Sequence, residues 1–168
     1  MGQIKANLNT DQSRKMADLA LRLDKVFVRL FHMKLEGTLE VDKYNSLLLS
    51  CFGRIEAYRE ELDSLWELFV DLKNENSLRI SFKNGKKRKF QKRKSRPFNT
   101  KTNLGEDFLR LAMSMDNIQT LLVKLVLARI VPEAKSQHVI SIFNAQIKNL
   151  REEIDALERV ENNVAKAG

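Results

Sequence analysis

Between Lys83 and Lys101 the chain reads KNGKKRKFQKRKSRPFNTK, and here its residue types point most directly to chemistry. Cations this dense can touch several successive phosphates of a polyanion. Each contact releases counterions, so binding would depend strongly on salt. Phe90, Phe98 and Gln91 stand among the cations and add stacking, core-anchoring or base-edge options. If Phe90 points inward on a strand, Lys89, Gln91 and Arg93 point outward together. A two-stranded ribbon fits the major groove of DNA, where Arg or Lys can read guanine and Gln can read adenine. Arg88, Lys92, Lys94 and Arg96 then sit nearer the backbone as phosphate contacts, and Lys86, Lys87 and Lys101 complete the candidate DNA-binding set. The helix start at Thr102-Asn103-Leu104 can offer N–H groups to a further phosphate. A disordered basic loop or a nuclear-localisation patch would carry the same composition.

Catalytic chemistry finds little to work with. His32 and His138 each fall in a helical pattern, without the Cys or carboxylate spacing of a metal site. Cys51 lies on an apolar stripe and reads as a small buried hydrophobe. Glu60-Glu61 and Glu152-Glu153 read as solvated helix faces, and no phosphate loop, nucleophile elbow or dinucleotide fingerprint is present. The expectation is a protein that is not an enzyme and needs no metal or cofactor.

The charge distribution sharpens the same point. The 168 residues carry a formal net charge of +8. Met1 to Glu75 holds 11 basic and 13 acidic residues, and Glu106 to Gly168 holds 8 and 9. Asn76 to Gly105 holds 11 basic residues and no acidic one. Two nearly neutral blocks therefore flank one segment that carries the whole excess, which implies a polyanionic partner or an address signal. With 43% apolar and 31% charged residues, six Gly and two Pro, the chain is neither collagen-like nor broadly disordered. A single Cys excludes an internal disulfide. The start, Met1 to Asn7, has no signal-peptide core, and Gly2 lacks the Ser or Thr that a myristoylation motif would want at Ala6. Leu121 to Val131 is too short to span a bilayer and is interrupted by Lys124 and Arg129. A cytoplasmic protein with no membrane contact is expected.

Four amphipathic helices must position these residues within one domain. Thr10 and Asp11 suit a helix start. Met16, Leu19, Leu23, Val26, Phe27, Leu30 and Phe31 then recur three or four apart up to a stop at Gly37, predicting a helix over Asp11 to Leu35. Tyr44 to Leu72 repeats steps of four and three. Leu47, Phe52, Trp66 and Leu68 widen that stripe, which makes this helix the candidate for a subunit interface. Asn103 can cap a third helix that carries Leu104, Phe108, Leu111, Met115, Ile118, Leu122 and Leu125. Pro132 opens a fourth, with Ile140, Phe143, Ile147, Leu150, Ile154, Leu157 and Val164, and the short joint favours an antiparallel pair.

Between the second and third helices the period becomes two. Leu78, Ile80 and Phe82 alternate with Arg79, Ser81 and Lys83, and Asn84-Gly85 suits a hairpin turn with a return arm over Lys86 to Lys94. A two-residue turn would set Ile80 opposite Lys89. A three-residue loop pairs Ile80 with Phe90 and keeps one apolar face, and is preferred. A second alternation stands at the start, with Ile4, Ala6 and Leu8 on one side and Gln3, Lys5 and Asn7 on the other. No internal repeat stands out beyond the heptads.

The order of features resembles the AcaB-like transcriptional activators of conjugative plasmids and integrative conjugative elements. IKANLNTDQSRKMADL, Ile4 to Leu19, is similar to that family's strand-then-helix opening. DKYNSLLLSCFGRIEAYREELDSL, Asp42 to Leu65, resembles its acidic-aromatic helix, and LLVKLVLARIVPEAKSQHVISIF, Leu121 to Phe143, its closing helix pair around Ala128-Arg129. The resemblance implies a ribbon-helix-helix-like dimer that binds DNA and activates transfer genes, one strand of each subunit entering the major groove. Two ribbons qualify. Gln3, Lys5 and Asn7 match the strand-first order, whereas Lys86 to Lys94 has the charge. Other readings are an RNA-binding or relaxosome-type accessory protein, and a helical scaffold or secretion adaptor whose basic loop docks an acidic protein.

Overall fold

The computed structural model describes residues 2–83 and 95–167. Its elements run β1 (Gly2–Ala6), α1 (Asp11–Leu35), α2 (Val41–Glu75), α3 (Ser77–Lys83), β2 (Arg96–Thr100), α4 (Asn103–Leu127) and α5 (Glu133–Ala167). The three-four spacing buries the expected stripes: Met16, Leu23, Val26 and Leu30 on α1, Tyr44, Cys51, Ile55, Leu62 and Phe69 on α2. On α4, Leu104, Phe108, Leu111, Met115, Ile118, Leu122 and Leu125 are all buried.

A repeat emerges that the residue types alone conceal. Asp11 and Asn103, Leu35 and Leu127, Val41 and Glu133, and Glu75 and Ala167 begin or end matching helices, each pair 92 positions apart. The chain is thus two β-α-α units, with helices of 25 and 35 residues in each. Local details repeat at the same offset. Thr10 caps α1 by accepting from the Ser13 amide, and Thr102 caps α4 by accepting from the Gly105 amide. Both first helices end in a left-handed residue, Gly37 (φ 79°) and Arg129 (φ 57°). The following amide then reaches five residues back in each case, Thr38 to the Met33 carbonyl and Ile130 to the Leu125 carbonyl.

The two units are interlocked. β1 pairs antiparallel with β2, and the pairing is centred on Lys5 opposite Pro97, the one pair whose members are themselves 92 apart. An approximate two-fold axis therefore passes through that pair. α1 packs chiefly on α4 and α5, and α2 packs on α4, so each unit's helices find their partners in the other unit. Polar contacts obey the same exchange. Arg54 of α2 pairs with Glu153 of α5, and the equivalent Gln146 of α5 donates to Glu61 of α2 at 2.9 Å. Arg22 of α1 reaches Asp155 at 2.6 Å and Glu158 at 2.7 Å on α5. Its hydrogen bonds, and then its charge, hold the Glu158 carboxyl below the usual range. These groups are a third to nearly half exposed, so such a pair contributes no more than about 1 kcal/mol.

Three expectations change. Leu78 to Lys83 is not a strand: Ser77–Lys83 is α3, with Leu78 88% exposed and Ile80 7% exposed. Residues two apart share a face on a strand but lie about 200° apart around a helix, and this contrast follows from the helix. The cap of α4 is Thr102, one residue before Asn103, because its hydroxyl is the group in reach of the Gly105 amide. The chief partner of α5 is α1 rather than α4, since its stripe faces the other unit. The turn Asn84-Gly85 and the return arm Lys86 to Lys94 lie outside the described residues.

Candidate nucleic-acid interface

The ribbon presents one apolar and one polar face. Ala6 is buried and Ile4 half-buried on the inner side of β1, Leu8 just past the strand is buried, and Phe98 and Thr100 are buried on β2. Gln3, Lys5 and Asn7 are exposed, as are Ser95, Pro97 and Asn99. Gln3 stands opposite Asn99 and Lys5 opposite Pro97. The outer face thus offers amides and an ammonium as hydrogen-bonding groups on a two-stranded ribbon of groove-fitting width. Arg96 lies with its guanidinium 5.7 Å from the Phe98 ring centroid, which keeps the cation at the end of the ribbon next to Ala6.

Two buried carboxylates tie the ribbon to the helices. Asp24 of α1 accepts from the Lys101 amide (3.0 Å), the Thr102 amide (2.8 Å) and the Thr102 hydroxyl (2.6 Å), fixing the turn from β2 into α4. Asp116 of α4, 92 positions later, accepts from the Asn9 and Thr10 amides at 2.8 and 2.9 Å and from the Ser13 hydroxyl at 3.0 Å. Each unit's first helix therefore caps the other's. Orphan N–H groups at both helix starts are satisfied, and the strands are held in register with the body. Gly105 leaves room for this: a Cβ there would stand 2.5 Å from Asp24 Oδ1.

Beside β2 lies a cleft of about 480 Å³ lined by Lys25 and Arg29 of α1, by Arg96, Pro97, Phe98 and Asn99 of β2, and by Lys101. Lys25, Arg96 and Lys101 are exposed. Arg29 is engaged by Glu161 of α5. The Asp24 carboxylate faces the same cleft but accepts the backbone and hydroxyl bonds just described.

Of the residues singled out in the sequence, Arg96, Lys101, Gln3, Lys5 and Asn7 therefore gather on or beside one ribbon. Lys86, Lys87, Arg88, Lys89, Gln91, Lys92, Arg93 and Lys94 lie outside the described residues, and join the ribbon through Ser95 in sequence. Sequence reasoning overlooked Ser95, Asn99 and Lys25. The Pro97-Phe98-Asn99-Thr100 alternation was the signal for the second strand, but it is only half as long as the basic run that masks it. Thr102 and Leu104 shape the start of α4, where the Thr102 hydroxyl and amide are already committed to Asp24.

Away from the ribbon, Cys51 and Glu153 meet between α2 and α5. Burial pushes the Cys51 thiol far above its ordinary range, and Glu153 beside it adds to the shift. Its Sγ lies 3.3 Å from Glu153 Oε1, so the thiol donates to that carboxylate within the seam between α2 and α5. Among the described residues no cluster of His, Cys, Asp and Glu has the arrangement of a metal site. No described helix is long and apolar enough to cross a membrane. No family model, curated protein or solved structure matches the chain.

Proposed function

We propose that this protein is a sequence-specific DNA-binding transcriptional regulator built on the ribbon-helix-helix plan, and that it activates genes of conjugative transfer as the family resemblance implies. The carrying observation is the β1–β2 ribbon, whose outward Gln3, Lys5, Asn7 and Asn99 stand clear of a core that anchors every inward side chain. Ribbons of this width enter the major groove, and amide side chains make bidentate contacts with adenine there. Arg96 and Lys101 supply phosphate contacts beside it, and the cations of 86–94, which precede Ser95 in sequence, add further charge for the same polyanion. Phe98 faces the core and is not available to stack on an unpaired base, which favours a duplex over a single strand.

Selection from a random duplex library at physiological salt tests the reading. An enriched motif is expected. Replacing Gln3, Asn7 and Asn99 with Ala should remove the preference while leaving salt-dependent, sequence-independent binding. Unchanged specificity in that variant, with loss instead on replacing Lys89, Gln91 and Arg93, would move base reading to the basic segment. No enriched motif would favour an accessory or scaffold role.

A further inference from the structure

We infer that a single chain is the complete binding unit for one duplex site, and that this site is non-palindromic, with its phosphate backbone gripped from one side by the cleft between α1 and β2. The inference rests on the proposed DNA-binding role. In a ribbon made by two copies, the two-fold axis relates identical residues, so the site they read is palindromic. Here the axis runs through one chain and relates different residues. On the outer face it exchanges Gln3 with Ser95 and Lys5 with Pro97, and only Asn7 and Asn99 match. Two unlike strands present unlike donors and acceptors to the two halves of a site.

The surrounding charge is still less symmetric. Lys25, Arg29, Arg96 and Lys101 line the cleft beside β2. The positions 92 residues away are Asn117, Leu121, Ile4 and Asn9, of which Asn9 and Asn117 are exposed, Ile4 is half-buried and Leu121 is buried. Every cation of one side is replaced by a neutral residue on the other. In sequence the basic run is continuous with Ser95 and Arg96. Phosphates flanking one half of the ribbon thus meet a row of cations, and those flanking the other half meet the neutral amides of Asn9 and Asn117. The body is no less committed to one chain, because α1 and α2 bury their stripes against α4 and α5 of the same molecule.

The test uses the full-length protein and the duplex selected above. Sedimentation should give a monomer for the free chain and one chain per duplex in the complex. The selected motif should lack two-fold symmetry, and phosphate-ethylation interference should cluster on one side of it. Replacing exposed Lys25, Arg96 and Lys101 together with Gln should weaken binding about tenfold or more and lower the salt slope by about 2 to 3. Replacing Asn9 and Asn117 with Ala should change affinity less than about twofold, with both variants melting as the parent does. A palindromic motif occupied by two chains overturns the inference while leaving the DNA-binding role intact, and so does equal loss from both sets of substitutions. Absence of binding to any duplex overturns both.

Discussion

Asp24 and Asp116 do at residue scale what the interlocked fold requires. Each is 4% exposed, and each carboxylate spends its lone pairs on the start of the other unit's first helix. Removing either leaves two backbone amides without an acceptor, and removing Asp24 also strands the Thr102 hydroxyl. A buried donor left unpaired costs about 1 to 3 kcal/mol. Asp24→Ala and Asp116→Ala should therefore each lower unfolding free energy by about 3 kcal/mol in urea titrations, beyond the roughly 1 kcal/mol of an ordinary cap. The equivalent positions Ser13 and Gly105 should respond differently. Ser13→Ala loses a hydroxyl that accepts from the Thr10 hydroxyl and donates to Asp116 and the Thr10 carbonyl, groups that keep other partners, whereas Gly105→Ala drives a Cβ against Asp24 and should be the more damaging of the two. Equal, small effects would mean that the carboxylates do not organise the ribbon. The chemistry of these caps was invisible beforehand because Asp24 and Asp116 are distant in sequence from what they bind. By contrast Thr10 was legible, since a helix cap is local.

At the scale of elements, the long helices were readable wherever the three-four spacing persisted through several turns. α1 begins and ends where spacing, cap and Gly37 place it. The failure at Leu78 to Lys83 came from a short pattern: three alternating apolar residues fit a strand and a helical turn alike. What settled the matter physically is the burial of Ile80 beside an exposed Leu78, in a segment that follows α2 after a single residue. This difference can be measured. In α3, Leu78→Glu should leave stability within about 0.5 kcal/mol, and Ile80→Glu should cost about 2 kcal/mol or more by placing a carboxylate in the core. Comparable losses from both substitutions would restore a strand with Leu78 and Ile80 on one face. The N-terminal strand was legible in its alternation, but its partner was not. Pairing across more than 90 residues leaves no trace in local periodicity, and the true partner, β2, carries only two inward apolar or β-branched residues, Phe98 and Thr100.

The whole molecule is where the sequence was least transparent, and the reason lies in what packing tolerates. At the offset of 92, Met16 matches Phe108, Leu23 matches Met115, Val26 matches Ile118 and Cys51 matches Phe143. Core positions accept such swaps when neighbours compensate in volume, so the repeat survives in geometry while most identities are lost. What persists is local chemistry: Thr10 and Thr102, Asp24 and Asp116, and the pair of stretches Arg59-Glu60-Glu61 and Arg151-Glu152-Glu153. Interlocking has a thermodynamic consequence. Because the helices of each unit are buried by the other, neither unit retains a core when its partner opens, and the chain should unfold in one step despite its duplicated plan. The single Trp66 sits on α2 and reports the first unit, whereas far-ultraviolet circular dichroism reports all the helices. In a urea titration the two signals should share one midpoint and one slope. A second dichroism transition that Trp66 does not follow would show two independently stable units, and would remove the physical basis for treating the chain as one indivisible ribbon body.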